Sequence, residues 1–455
     1  MHFKISTGSV IAMLIGLALA SVAIAPEVLS SSANGIGPYQ AVLLMLGVLI
    51  FLLGILPSEH ILSKFMLFCL SFAVSLVFIE GGLLLLSRAN VNVTFPDTRE
   101  LLTDPVLGKR TPSDAVGHDA RGWRNKVALE QADIVAIGDS QTWGVNATLA
   151  ETYPSVLSDL SGYDVYSMAQ GSYGAVQYRV LAERAIELSP QLVVIGMYFG
   201  NDFADAYSIV YGDYDHTALR DPSFDLSAIS QTITERAQAL QSEGLTTDTK
   251  QSNQGNLSFW EQIQSGTYIG KFLTSVGVFK TLDTGESQRQ LDINIQKIKE
   301  HPESLGYYQK DNIQTFFTPA YRQLVVDINS PIIQEGIRIS KQQYAEIKTL
   351  LKLSDIELLV VFIPTKETVY APFLDSLNNN YTLLVEQEAQ IRSEMKDFFD
   401  ENAIAYVDAL SSLQQAVMDG IPIYPPTFDG HPVASGYQVI AEVVNRYISD
   451  HDMMK

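Results

Sequence analysis

One cysteine, Cys69, stands in 455 residues, and it falls in an apolar stretch near the N-terminus. Residues 88–455 therefore hold none, which excludes disulfide stapling of that part and any zinc cluster built on thiolates. Basic residues are scarce as well: 30 Lys and Arg face 51 Asp and Glu, for a formal net charge of −21. The first 87 residues take only two of the basic and three of the acidic side chains, leaving 28 against 48 downstream. No basic cluster interrupts that surplus, so the soluble part repels phosphate backbones and nucleic acid is not an expected partner. There is no internal repeat and no low-complexity tract. With no staples available, the part after residue 87 needs a large apolar core of its own. The full length exceeds what one compact core usually holds, so at least two regions are expected.

Charge is nearly absent from three long runs. Residues 5–25 are uncharged, residues 41–56 form an apolar core that extends without charge on both sides, and residues 65–87 carry only Glu80. A bilayer is crossed by about 20 apolar residues in a helix, so each run predicts a membrane span. A cleaved signal peptide is the rival reading of the first, but two further spans would still leave an embedded protein. Lys4 precedes the first run, residues 26–38 have no Lys or Arg, and Lys64 lies in the second connection. The positive-inside rule then places everything after Ser87 on the extracytoplasmic or periplasmic side, with Arg88 the residue against it. Glu80 is read as lying near the outer interface rather than as an intramembrane functional site. The expected division is a three-helix membrane anchor over 1–87, a linker and lead-in over 88–132, and a domain over 133–455.

Within that domain, short apolar runs at 133–138, 164–168, 192–197, 358–363 and 404–407 read as strands buried on both faces. Between them the spacing is helical: Tyr153, Val156, Leu157 and Leu160 share a face, as do Tyr344, Ile347 and Leu351, and Ile440, Val443, Val444 and Tyr447. Alternating strands and helices imply a parallel sheet covered on both sides. The gap from about 203 to 336 is too long for a bare loop and predicts an insertion with helices of its own, for example around 257–278.

Chemistry-bearing residues cluster just after the strands. Ser140 follows the first strand by two residues, in the stretch Gly138, Asp139, Ser140. A serine there projects above the sheet edge at a helix N-terminus, whose unpaired N–H groups and positive potential suit a developing oxyanion. Taken alone, an Asp-Ser turn is also an ordinary helix cap. Gly171 and Ser172 follow the second strand, and Gly200, Asn201 and Asp202 the third. Asp429, Gly430, His431 and Pro432, with Gly436 beyond, follow the last. A serine hydroxyl needs an imidazole to take its proton, and that imidazole needs an acceptor to fix its tautomer. His431 is the histidine that follows the last strand with a carboxylate at hand. His2 and His60 lie among the membrane segments and His451 in the tail; His118 and His301 have polar surroundings. His216 stands in an acidic loop that could suggest a metal group but reads more simply as solvated.

These segments, in this order, resemble those of the SGNH/GDSL hydrolases. The resemblance implies a three-layer α/β/α, flavodoxin-like parallel sheet of about five strands, here preceded by transmembrane helices. It implies Ser140 as nucleophile, His431 as base, Asp429 as acid, and Gly171 and Asn201 as oxyanion donors, with no cofactor and no metal. Two departures stand out. Ser167 replaces the family's usual asparagine and leaves the oxyanion N–H open between Gly171 and Ser172. The acid and base are spaced Asp-x-His rather than Asp-x-x-His, because Phe428 occupies the usual acid position. Asp139 reads as bracing its turn, Lys366 either as an attractor of anionic substrate or as an exposed loop lysine. Tyr207, Tyr211 and Trp260 read as packing within the insertion before a sugar-stacking lid. The expected activity is removal of acyl groups, chiefly acetyl, from envelope or extracellular carbohydrate. An O-acyltransferase using the same acyl-serine is the near alternative, a lipase or thioesterase acting on membrane lipid the third. A non-catalytic glycan-binding module is the alternative of another class.

Overall fold

The computed structural model describes residues 101–454 apart from 114, 116, 225–237, 239 and 241–285. The three expected membrane spans, the first part of the linker, the expected helix around 257–278 and Trp260 lie outside the described residues. Among the described residues, no helix is long and apolar enough to cross a membrane.

The domain is built on five parallel strands: β3 (Ile134–Gly138), β4 (Val165–Ala169), β5 (Leu192–Tyr198), β8 (Glu357–Ile363) and β9 (Ala405–Asp408), in the spatial order β4-β3-β5-β8-β9. Each lies within one residue of the run predicted from sequence. Side chains alternate between two apolar layers, as the two-residue period of a strand requires. Val135, Ile137, Val193, Ile195, Val360 and Phe362 face one layer, and Ile134, Leu192, Val194, Leu359 and Val361 the other. Helices α3 (Ala175–Ala185), α7 (Pro331–Leu353) and α9 (Asn379–Glu401) close the first layer. Helices α2 (Tyr153–Ser161), α10 (Leu410–Met418) and α11 (Ala434–Asp450) close the second. The result is a three-layer α/β/α arrangement, and its strand order makes β3 and β5 the pair where the winding reverses, the place open parallel sheets reserve for ligands.

Three features depart from the expected organisation. The stretch read as linker and lead-in belongs, from residue 101 onward, to the body of the domain. A hairpin of β1 (Leu102–Asp104) and β2 (Gly108–Arg110) buries Leu107. Arg124 then donates to the carbonyls of Trp143, Gly144 and Ala147 at 2.6–2.7 Å. Those carbonyls end the single turn α1 (Ser140–Trp143), which closes on the left-handed Gly144. A polar, proline-containing sequence with no apolar period gave no sign of this, because the stretch docks through hydrogen bonds more than through a periodic face.

The second feature is the long insertion. Between α4 (Asp202–Tyr211) and α7, the described residues include α5 (Glu286–Glu300), a hairpin of β6 (Gly306–Lys310) and β7 (Ile313–Phe317), and α6 (Pro319–Leu324). Tyr207 and Tyr211 stack at 4.6 Å with Phe224 against them, and Tyr211 donates to Glu335 at 2.8 Å, so this pair is packing.

The third is a helix crossing. A Cβ on Gly336 would stand 2.0 Å from the carbonyl oxygen of Phe203, so α7 reaches the backbone of α4 only because residue 336 has no side chain. Gly336→Ala must push that helix off the turn carrying Asn201. It is expected to lower stability by about 2–3 kcal/mol, read as a fall in the urea midpoint at unchanged slope.

Candidate active site

Ser140 begins α1 directly after β3, with Asp139 as its N-cap: the Asp139 carboxylate accepts from the N–H of Gln141 at 2.8 Å and from the Ser140 hydroxyl at 3.2 Å. His431 lies 291 residues further on, yet its Nε2 is 2.8 Å from Ser140 Oγ. The other ring nitrogen, Nδ1, is 2.6 Å from Asp429 Oδ1, which also accepts the backbone N–H of His431 at 2.9 Å. The Asp-x-His spacing thus works through a tight turn in which one carboxylate oxygen holds both the ring and the backbone of the same residue. Phe428 is buried and packs on Phe316 of the β6–β7 hairpin, ring centroids 5.3 Å apart, so its position anchors the loop instead of supplying an acid.

The loop is pinned from several sides. Asn146 donates to the carbonyl of His431 at 2.9 Å. Lys366, at the start of α8 (Lys366–Tyr370), donates to the carbonyls of Thr427 and Asp429 at 2.9 and 2.8 Å. This corrects both readings of Lys366 as a solvent-facing cation: it is wholly buried. Burial pulls its ammonium down to about 8, against the pull of Glu367 and Asp429. Arg322 of α6 is a residue for which the sequence carried no signal. It donates to Gly200 O at 2.9 Å, and a Cβ on Gly430 would come within 2.9 Å of its Nη2. One guanidinium therefore lies against both the loop before Asn201 and the loop before His431.

On the other flank, a Cβ on Gly171 would stand 3.7 Å from that of Ser140, so Gly171 lies beside the serine. Ser172 adopts a left-handed φ of 61°, and its hydroxyl accepts from Lys109 at 3.3 Å. Asn201 caps α4, donates from Nδ2 to Asp205 Oδ2 at 2.7 Å, and buries an Oδ1 that has no partner among the described residues. Asp202 closes the preceding turn by accepting from Tyr198 N and the Tyr178 hydroxyl. Asp205 was missed from sequence, although it sits one helical turn beyond Asn201.

Charge is unevenly managed here. Burial pushes the Asp429 carboxyl up, but hydrogen bonds and charge from His431, with Lys366 beyond, outweigh it and leave it at about 2. At Asp139, Asp202 and Asp205 burial outweighs the compensation: despite hydrogen bonds to all three, and the charges of His431 on Asp139 and Lys109 on Asp205, it raises Asp139 to about 6, Asp205 to about 7 and Asp202 well above the usual range. The remaining histidines have other work. His216 bonds to Val106 O at 2.6 Å, and His118 accepts from the Trp143 indole at 3.4 Å. Among the described residues, no three His, Cys, Asp or Glu side chains are grouped to hold a metal.

No family model matches the chain, and no curated protein matches it. Solved structures do. An extracellular lipase from Streptomyces rimosus is 13% identical with a TM-score of 0.34, over 70% of this chain and 99% of that one. A phospholipase A1 from Streptomyces albidoflavus is 12% identical with a TM-score of 0.34, over the same shares. A GDSL-like lipase from Bacteroides thetaiotaomicron is 11% identical with a TM-score of 0.29, over 70% and 87%. What the site can do follows from its own atoms.

Those atoms give a pH prediction. Asp139 ionises near 4 in the unfolded chain and at about 6 when folded, so the stability it contributes is present at low pH and lost as pH rises through that window. Asn at this position keeps an oxygen for the Gln141 N–H and carries no charge. Stability of Asp139→Asn relative to the unsubstituted protein should rise by up to about 3 kcal/mol between pH 4 and 6 and then level off. Urea unfolding of both proteins across that range measures the difference.

Proposed function

We propose that the protein is a serine hydrolase acting on ester bonds, with Ser140 as nucleophile, His431 as general base and acid, and Asp429 orienting the imidazole. The observation carrying this reading is the unbroken chain from Ser140 Oγ to His431 Nε2 at 2.8 Å and from His431 Nδ1 to Asp429 at 2.6 Å. With the imidazole proton on Nδ1, facing the carboxylate, Nε2 presents its lone pair to the serine hydroxyl. As Oγ bonds to the acyl carbon, its proton passes to Nε2, and Asp429 stabilises the imidazolium. The carbonyl oxygen, now an anion, is received by the N–H groups of Ser140 and Gly171 and the side-chain amide of Asn201, each worth about 3 kcal/mol of barrier. Collapse breaks the ester C–O bond, and the alcohol leaves with the proton from Nε2. A water then gives a proton to the same nitrogen as it attacks the acyl-serine, and a carboxylic acid and the free serine result.

The substrate class follows from the anchor. Three N-terminal spans that leave the domain outside the cytoplasm hold this site near surface glycans, so acyl groups on envelope or extracellular carbohydrate, acetyl foremost, are the proposed substrate. Product analysis with an acetylated glycan tests it: acetate released into water supports hydrolysis, whereas acetate appearing only on an added acceptor sugar would make the protein an acyltransferase. A reporter active only in the cytoplasm, fused after Lys455, should stay silent.

For the residues, an organophosphonate should label Ser140 stoichiometrically, and Ser140→Ala should lose both label and turnover. His431→Ala and Asp429→Asn should be nearly as severe. Asn201→Ala should keep KM but lose about 100-fold in kcat, the mark of a donor used mainly in the transition state. Full turnover in Ser140→Ala would overturn the assignment.

A further inference from the structure

A cavity of about 340 Å³ shares no lining residue with the site proposed around Ser140. Its volume falls within the span of ordinary small-molecule sites. Leu107, Trp123, Tyr166 and Met168 form an apolar floor and are all buried. Three exposed arginines, Arg110, Arg121 and Arg184, stand at the rim with one carboxylate, Glu187. In a chain of net charge −21, the rim gathers three cations, with the carboxylates of Asp104 and Glu130 beside two of them.

Arg121 lies over the edge of the floor, its guanidinium carbon 5.9 Å from the Tyr166 ring centroid, but the ion pairs of these arginines are loose. Arg110 meets Asp104 at 3.6 Å, and Arg121 meets Glu130 at 3.6 Å with that carboxylate 94% exposed; exposed pairs at such distances contribute little. Arg184 makes no hydrogen bond or ion pair among the described residues. The wall carrying Arg121, Gly122 and Trp123 is, by contrast, rigidly built. Asp119, 4% exposed, accepts from the N–H groups of Arg121 and Trp123, from Asn125 Nδ2 and from the Tyr166 hydroxyl at 2.6–3.1 Å. Asn125 is in turn tied to Ser167 of β4 through both its amide atoms. Gly122 lets the loop lie on the neighbouring strand end, since a Cβ there would stand 2.5 Å from Thr111 O. The cavity is therefore held open by its own hydrogen bonds.

We infer that this cavity binds a small organic anion, with an aromatic or short apolar body on the Trp123–Tyr166 floor and a phosphate or carboxylate head held by the arginines. Planar guanidinium groups match such heads with paired hydrogen bonds, and the aromatic floor takes the body. The inference does not rest on the role given to Ser140.

Phenyl phosphate is the probe, titrated into the full-length protein by calorimetry and by tryptophan fluorescence, with inorganic phosphate and benzyl alcohol as its two halves. One saturable site is expected, bound at least ten-fold tighter than either half. Arg184→Gln should weaken phenyl phosphate about ten-fold or more while leaving circular dichroism and the unfolding midpoint unchanged, as befits an exposed residue. Trp123→Phe should remove the fluorescence response but keep the calorimetric one. Binding of inorganic phosphate as tight as phenyl phosphate would overturn the inference, as would equal binding of benzyl alcohol. So would undiminished affinity in Arg110→Gln and Arg184→Gln, or no saturable binding at all.

Discussion

A hydroxyl and an imidazole carried 291 residues apart can rest 2.8 Å from each other only if their two loops are fixed independently. The serine sits on a single helical turn and the histidine on a loop, so neither inherits rigidity from a long ladder of backbone hydrogen bonds. The serine turn is fixed below by β3 and at its end by Arg124, whose guanidinium takes the carbonyls of Trp143, Gly144 and Ala147. The histidine loop is held by Lys366 and Asn146 and by Phe428 seated on the hairpin. A cation does the holding in both places, Lys366 buried and Arg124 half-buried. Their desolvation is offset because each ends in several backbone carbonyls, which would themselves be costly to leave bare.

The anionic groups follow the opposite pattern. Asp139, Asp202 and Asp205 crowd around Asn201, with no buried cation bonded to them, and burial raises all three. Each earns its place as an acceptor: Asp139 for the cap of α1, Asp202 for the turn after β5, Asp205 for the amide of Asn201. An ionised carboxylate can only accept, so Asp205 fixes which end of the Asn201 amide faces it, with the nitrogen toward the acid. The arrangement trades electrostatic ease for a fixed orientation of donors.

Much of this was legible in the sequence. Strands buried on both faces are continuous apolar runs, and Ile134–Gly138 and Leu192–Tyr198 could hardly be anything else between helices. Ser140 and His431 stood out by place: the serine follows a buried strand, and the histidine, with a carboxylate two residues before it, follows the last one. What stayed hidden was polar. Lys366 looks like a loop lysine, since nothing in its neighbours tells that two carbonyls will meet its ammonium inside. Arg322 sits in the insertion, over 100 residues from either loop it touches in space. The docking of residues 101–132 escaped notice for the same reason: hydrogen bonds such as Arg124 to Gly144 O have no period.

The position of Arg322 bears on how portable this site is. Residues 306–324 arrive as part of an insertion, the kind of segment that usually varies freely between related chains because it only covers the surface. Here the hairpin seats Phe428 and the following helix presents a guanidinium to Gly200 and Gly430. Grafting the serine, asparagine and histidine loops onto another five-stranded parallel sheet would move the reacting groups and leave their struts behind. The smallest transplantable unit joins the sheet, the hairpin and its short helix, so an engineer trimming this protein could shorten other surface connections but not that one.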